Sequence, residues 1–204
     1  MNIYLVRHGE TEENKSKYYY GSIDAKLNDN GKKQIVAVAD KLKYVDFGRI
    51  FVSEKKRAQQ SFEIIRKNTI YNKEKSGIVD KRLSEMNFGE FEGKNYKEIK
   101  KLYPDEYKKW NNDWKNFSPP GGESYADFFK RVKSFFDDIL QLNEENILVI
   151  THGGVIRTLY CCILDNNPDY FWKFSSQNGD ISIIKYEYGN LHIDSIEHTR
   201  TTNN

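Results

Sequence analysis

The point near the start of the chain where an apolar run meets a polar turn constrains the fold more than any other feature. Ile3–Val6 is too short to span a membrane and is typical of a buried strand. It ends at Arg7, His8 and Gly9. Arginine carries a permanent charge and a fork of donors that fits phosphate oxygens, and histidine suits nucleophilic or acid–base chemistry near neutral pH. This segment alone is compatible with a functional site or with an ordinary polar turn.

Strands and helices alternate along the rest of the chain. Helices are predicted to begin after Asn28, within 53–61, after Ser124 and at Val155. The further strand predictions are Ile50–Val52, Ile78–Val79, Asn146–Thr151, Ile181–Tyr186 and Leu191–Ile196, the last two antiparallel. This alternation predicts an α/β fold: a three-layer, mostly parallel open sheet with helices on both faces and a small helical insertion.

Bulk properties limit the classes of protein and of partner. The 204 residues suit a single domain, 1–204, and 32 basic against 30 acidic residues give a net charge of +2, which favours neither a nucleic-acid nor a membrane partner. No signal peptide is expected at the start, and the adjacent Cys161 and Cys162 are predicted to be reduced core residues, so a cytoplasmic location is expected. A monomer and a homodimer both remain open, and residues from about 197 are predicted to fray.

Chemically capable side chains follow each predicted parallel strand. Arg7 and His8 follow the first, Arg57 follows the second, Glu85 the third and His152 the fourth. In open α/β sheets, ligands bind beyond the carboxyl ends of the strands, so these five side chains are expected to converge at one edge.

Two arginines with two histidines indicate an anion with more than one charge, most simply a phosphate. A metal site is disfavoured because the arginines would repel a divalent cation and Glu85 is the one carboxylate expected there. No nucleotide-binding glycine motif is present, so neither a metal nor a cofactor is predicted. Phosphoryl transfer without metal needs a nucleophile, fixed positive charge and an acid, and this set can supply all three. Arg57 or His152 taken singly would read as an ordinary structural residue.

Several segments together resemble the histidine phosphatase superfamily, which has the phosphoglycerate-mutase-like fold. The resemblance runs from about residue 2 to 186 in order and at compatible spacing. The segments that carry it are Leu5–Asn14, Leu27–Gln34, Ser53–Ser61, Leu83–Glu85, Phe88–Gly93 and Val149–Arg157. It implies a phosphomonoester hydrolase that needs no metal and acts on a small molecule.

The resemblance also implies roles for individual residues. His8 is expected to become phosphohistidine, and Glu85 is expected to donate the proton to the leaving group. The other members of the site are expected to hold the phosphate: Arg7, Arg57, His152, Asn14, Thr11 and the backbone of Gly153.

The substrate prediction rests on residues 88–124 and on an aromatic helical insertion at about 94–123. Its segments Phe88–Tyr96 and Pro119–Ser124, with Trp110 between them, are similar to the α-ribazole-5′-phosphate phosphatase family of cobalamin lower-ligand assembly. The aromatic residues at helical spacing are expected mainly to pack, with one or two stacking on a flat base. A broad-specificity or sugar-phosphate phosphatase, a phosphoglycerate mutase and a non-catalytic phospholigand-binding module remain alternatives.

Overall fold

A six-stranded sheet organises the structure, a computed structural model that describes residues 1–199. Its strands lie in the order β3-β2-β4-β1-β5-β6. The first four in that order are parallel, whereas β5 and β6 are antiparallel additions. The mostly parallel α/β prediction is therefore confirmed. The bounds are β1 Asn2–Arg7, β2 Arg49–Val52, β3 Ile78–Val79, β4 Asn146–Thr151, β5 Ile181–Glu187 and β6 Asn190–Glu197.

Helices connect the strands and begin at the predicted caps. The Asn28 side chain accepts a hydrogen bond from the Gly31 amide, and the Ser124 hydroxyl accepts one from the Asp127 amide. The α-helices are α1 Glu12–Lys15, α2 Asp29–Lys41, α3 Lys56–Asn68, α4 Tyr96–Leu102, α5 Pro104–Asn112, α6 Tyr125–Ile139 and α7 Gly153–Ile163. Short 3₁₀ helices span Lys81–Leu83, Gly89–Phe91 and Pro168–Lys173. None of the helices within residues 1–199 is long and apolar enough to cross a membrane.

Two apolar cores lie on opposite faces of the sheet. Side chains alternate between the faces along each strand, so Leu5 packs with α6 and α7 whereas Val6 packs with α2 and α3. Both faces of the central strands are therefore covered, which explains their continuous apolar sequence. Cys161 and Cys162 are buried free thiols in the α6–α7 core.

The strand register brings the functional segments side by side. Arg7 at the end of β1 is paired with Thr151 at the end of β4, and Val52 at the end of β2 is paired with Ile150. The residues that follow these three strands consequently leave the sheet at the same edge. The site is built at that edge.

The aromatic insertion contains two helices, α4 and α5, followed by turns from residue 113. Three of its rings pack around Phe91, which precedes the insertion. The Phe91 ring centroid lies 5.3 Å from that of Tyr103, 5.6 Å from that of Trp110 and 6.2 Å from that of Phe117. A small aromatic core therefore stabilises the insertion.

The end of the described chain is held against the loop before β5. Glu197 completes β6, and the Thr199 hydroxyl donates a hydrogen bond of 2.6 Å to the Gly179 carbonyl. His198 Nδ1 lies 2.9 Å from Asp180 Oδ1. Ordered contacts thus extend past residue 197, where fraying was expected to begin, because β6 and this loop provide partners. Residues 200–204 lie outside the described part of the chain.

Candidate active site

His8 leaves the end of β1 and lines a cavity at the carboxyl edge of the sheet. Its Nδ1 lies 2.7 Å from the Gly9 carbonyl oxygen. A carbonyl can only accept, so Nδ1 carries the proton and Nε2 keeps its lone pair. The side chain is 2% exposed, which keeps the ring in one orientation. His8 therefore presents an unprotonated nitrogen in a cavity, as a nucleophile requires.

Burial among cations keeps both site histidines neutral. The pKa of His8 lies well below its usual value, first because of burial and then because of the charges of Arg57 and Arg7. The pKa of His152 is also well below its usual value, owing to burial and then to Arg57. Both effects disfavour a positively charged imidazole. The nucleophilic form of His8 is thus the prevailing form at neutral pH.

Two buried arginines supply the positive charge of the site. Arg7 Nη1 donates to the Ser176 carbonyl, while its buried Nε has no hydrogen-bond partner within the described residues. Arg57 donates from Nη1 to the Ile23 carbonyl at 2.8 Å and from Nη2 to the Gly21 carbonyl at 3.1 Å. Burial lowers the pKa of each guanidinium, yet arginine stays charged in proteins. Both arginines line the cavity.

His152 is the site histidine whose two nitrogens are both occupied. Its Nδ1 accepts from Arg57 Nε at 3.2 Å, so Nε2 carries the proton and donates to Ser53 Oγ at 2.7 Å. Its ring centroid lies 5.0 Å from that of His8. His152 is fully buried and is not among the cavity-lining residues. In this state it orients Arg57 and adjoins the His8 ring.

Glu85 reaches the cavity from the segment after β3. Its Oε1 accepts from the Met86 amide at 3.0 Å and its Oε2 from the Gly154 amide at 2.9 Å. A Cβ atom at position 154 would lie 2.2 Å from Glu85 Oε1, so glycine is needed there for this approach. The Arg131 guanidinium of α6 holds the segment by donating to the carbonyls of Arg82, Ser84 and Glu85.

Asn14 also lines the cavity, and its amide orientation is fixed. Its Oδ1 accepts from the Thr11 amide, the Thr11 hydroxyl and Asn178 Nδ2, at 3.2, 3.3 and 3.1 Å. The oxygen thus faces protein donors, which leaves Nδ2 as a donor for a ligand. Thr11 is fully buried behind Asn14, and Gly153 packs against Arg7; neither is among the lining residues. Their phosphate-binding roles stay predictions.

The carboxylate of Glu92 fixes the loop whose carbonyls bind Arg57. Glu92 accepts from the amides of Gly21, Ser22 and Ile23 at 3.1, 2.7 and 2.8 Å, and from that of Phe88 at 3.2 Å. The carbonyls of the same loop receive the Arg57 guanidinium. Glu92 therefore fixes the position of a cation without contacting it.

The outer part of the cavity is aromatic. The cavity has a volume of about 180 Å³. Its outer wall also contains the guanidinium of Arg157, on the first turns of α7. The aromatic lining residues include Tyr19, Phe88, Trp110, Trp114, Phe171 and Trp172. A polar, cationic inner part and an apolar outer part thus share one cavity.

Several residues that shape the site had not been predicted to belong to it. Ser53 follows β2 directly, so the rule that located Arg57 could have found it. Asn178, Glu92 and Arg131 act largely on backbone groups and carry no local sequence signal. Within residues 1–199 no group of three or more histidine, cysteine, aspartate or glutamate side chains is arranged to hold a metal ion.

The fold and this site define a class of protein, and comparison with known proteins agrees with it. Residues 3–199 match the histidine phosphatase superfamily (branch 1). The chain belongs to that superfamily, and it is a phosphatase.

The similar proteins include phosphatases with different names. Phosphoserine phosphatase 1 of Hydrogenobacter thermophilus is 29% identical over 189 residues, covering 92% of this chain and 87% of that protein. The adenosylcobalamin/alpha-ribazole phosphatase of Salmonella typhimurium is 28% identical over 185 residues, covering 90% of each. The crystal structure of the alpha-ribazole phosphatase from Shigella flexneri superposes with a TM-score of 0.89 at 26% identity, covering 98% of this chain and 97% of that one.

Proposed function

We propose that this phosphatase hydrolyses α-ribazole 5′-phosphate through a phosphohistidine intermediate, without a metal. The observation that carries the chemistry is the unprotonated Nε2 of His8, buried beside Arg7 and Arg57. The positive charge that a metal would otherwise supply comes from the two guanidinium groups.

In the first step, the lone pair of His8 Nε2 forms a bond to phosphorus while the ester P–O bond breaks. Glu85 transfers its proton to the departing alcohol oxygen, which leaves as the alcohol. Arg7, Arg57 and Asn14 Nδ2 stabilise the charge on the remaining phosphoryl oxygens. Arg7 Nε suits this role because it is buried and has no partner within the described residues.

In the second step, water attacks phosphorus and the Glu85 carboxylate takes a proton from that water. The P–N bond breaks and its electrons return to His8 Nε2. Inorganic phosphate leaves, and Glu85 is again protonated for the next cycle. Splitting one slow hydrolysis into two transfers is the general advantage of a covalent intermediate.

The substrate part of the proposal is supported by the outer part of the cavity and by the relatives named alpha-ribazole phosphatase. Aromatic walls favour a flat, largely apolar leaving group, such as a benzimidazole nucleoside, over a small charged one such as serine. A cytoplasmic location belongs to the same proposal, and the two buried free thiols suit it.

The test is a comparison of kcat/KM across phosphomonoesters. α-Ribazole 5′-phosphate should exceed phosphoserine, 3-phosphoglycerate and simple sugar phosphates by at least about tenfold, which equals roughly 1.4 kcal/mol of transition-state binding. Phosphate release with no added acceptor separates hydrolysis from mutase activity. A tenfold preference for phosphoserine or a sugar phosphate would contradict the substrate assignment and leave the phosphatase chemistry intact.

A further inference from the structure

Arg157 differs from the other arginines of the site because it makes no hydrogen bond or ion pair within residues 1–199. Burial lowers the pKa of the Arg157 guanidinium, and the charge of Glu85 acts in the opposite direction. Its side chain is half-buried and lines the same cavity as His8. A guanidinium with five donors in such a place is costly unless a ligand or water satisfies it.

Two aromatic rings lie against the Arg157 guanidinium. Its Cζ lies 4.1 Å from the ring centroid of Phe171 and 4.9 Å from that of Trp172. Phe171 is nearly buried, whereas Trp172 is 61% exposed and stands at the mouth of the cavity. These cation–π contacts restrain the side chain without using its N–H donors for a hydrogen bond.

The surroundings of Arg157 place it with the leaving group rather than with the phosphate. The inner cations Arg7 and Arg57 act on His8, whereas Arg157 lies against the aromatic wall. Within residues 1–199 Glu85 makes no hydrogen bond to Arg157, and its two oxygens accept instead from the amides of Met86 and Gly154.

We propose that Arg157 is a specificity-determining residue that donates hydrogen bonds to acceptor atoms of the leaving alcohol, in a subsite walled by Phe171 and Trp172. This rests on the proposed function, because it assigns part of the same cavity to the alcohol of the ester. The substrate class is a phosphomonoester whose alcohol has a flat apolar part and oxygen or nitrogen acceptors within reach of the guanidinium. A ribosyl benzimidazole offers both.

The experiment compares Arg157→Gln and Arg157→Lys with wild type, and uses Arg49→Gln as the matched control. Arg49 begins β2 at the opposite end of the strand from the site and pairs with Glu144 at the surface, so it tests loss of an arginine charge alone. Three quantities are measured: kcat/KM for α-ribazole 5′-phosphate, kcat/KM for methyl phosphate, and the inhibition constants of inorganic phosphate and of α-ribazole.

The Arg157 variants should lower kcat/KM for α-ribazole 5′-phosphate by about 10- to 100-fold relative to methyl phosphate, the range expected for hydrogen bonds to a charged group. Inhibition by α-ribazole should weaken by a similar factor. Inhibition by inorganic phosphate should change by less than about threefold, which also shows that the variants fold. Arg157→Lys should recover little of the lost kcat/KM for α-ribazole 5′-phosphate, because lysine lacks the planar fork of N–H donors.

Two results would overturn the proposal. An equal loss for methyl phosphate and a matching weakening of phosphate inhibition would assign Arg157 to the phosphate pocket. An unchanged ratio of the two esters would mean that Arg157 does not contact the alcohol. If Arg157→Gln does not fold, Trp172→Ala is used instead, because it removes one aromatic wall of the subsite without altering α7. It should lower the ratio of kcat/KM for α-ribazole 5′-phosphate to kcat/KM for methyl phosphate. If another ester proves to be the preferred substrate, only the substrate assignment fails, and the comparison is made with that ester.

Discussion

At the scale of single residues, the reactivity of His8 follows from one carbonyl. The Gly9 carbonyl accepts a hydrogen bond from Nδ1–H of His8, and burial together with the nearby guanidinium groups opposes a second proton on Nε2. The same cations that would bind phosphate therefore also keep the nucleophile unprotonated. The unprotonated state of His8 and the binding of an anion thus both depend on the charges of the same two arginines.

The role of Glu85 as proton donor can be tested by comparing two substrates whose leaving groups differ in their need for a proton. Glu85→Gln should slow phosphorylation of His8 by an alkyl phosphate by about 10²- to 10⁴-fold, because an alkoxide needs a proton to leave. Phosphorylation by p-nitrophenyl phosphate should slow far less, since p-nitrophenolate leaves without one. The measurement is the single-turnover burst of acid-labile, base-stable label.

A glutamine also removes an acceptor from one of the two backbone amides that hold Glu85. Thermal stability and phosphate inhibition of the variant are therefore measured beside the burst. Equal slowing with both esters, at intact phosphate binding, would rule Glu85 out as the proton donor.

The two buried histidines should make the protein acid-sensitive. Both have pKa values well below the ordinary value of about 6.5, so the folded state stays unprotonated where the unfolded chain takes up protons. Stability should thus fall as pH decreases below about 6.5, by up to about 1.4 kcal/mol per pH unit for each histidine. The free energy of unfolding measured with urea should be about 2–3 kcal/mol lower at pH 5.5 than at pH 7.5 because of these two histidines.

The His152→Gln variant separates the contributions of His8 and His152 to the pH dependence of stability. It removes one of the groups that must stay neutral, so about half of this pH dependence should disappear. Equal unfolding free energies for wild type at the two pH values would contradict the neutral, buried state of both side chains.

At the scale of elements, a short loop and a carboxylate set the position of Arg57. Glu92→Gln replaces a charged acceptor of four amides by a neutral one, which should weaken hydrogen bonds each worth about 1.5–3 kcal/mol to a charged partner. The loop should loosen, and Arg57 with it. Inhibition by inorganic phosphate should weaken by about tenfold or more, a factor equal to roughly 1.4 kcal/mol.

Glu90→Gln is the matched control, because Glu90 lies on the 3₁₀ helix Gly89–Phe91 that Glu92 directly follows, and its side chain is exposed. It should leave phosphate inhibition unchanged. If Glu92→Gln lowered the melting temperature but not phosphate affinity, Glu92 would stabilise the fold without positioning Arg57.

At the scale of the whole molecule, the parts that the sequence predicts well depend on short-range patterns. Residue spacing alone predicts the caps at Asn28 and Ser124 and the apolar β4 strand, and strand direction predicts that Arg7, Arg57 and His152 meet at one edge. Those inferences needed only periodicity and the geometry of parallel sheets.

The remainder of the site depends on contacts between distant parts of the chain. Arg157 and the rings of Phe171 and Trp172 meet through the packing of α7 against the following 3₁₀ helix, which no local pattern encodes. Glu92 reaches Gly21 across 71 positions of sequence. The tautomers of His8 and His152 likewise follow from a carbonyl and a guanidinium whose positions only the folded structure fixes.

The cavity is assembled from two sources, and this separation bears on how such enzymes diverge. The phosphate half comes from the carboxyl ends of central strands, where any shift would disturb both cores. Apart from Arg157 on α7, the alcohol half comes largely from the insertion and from the 3₁₀ helix Pro168–Lys173, which lie outside the sheet. Substitutions there can accumulate under separate selection, so gene duplicates can acquire new substrates while inheriting the reaction unchanged.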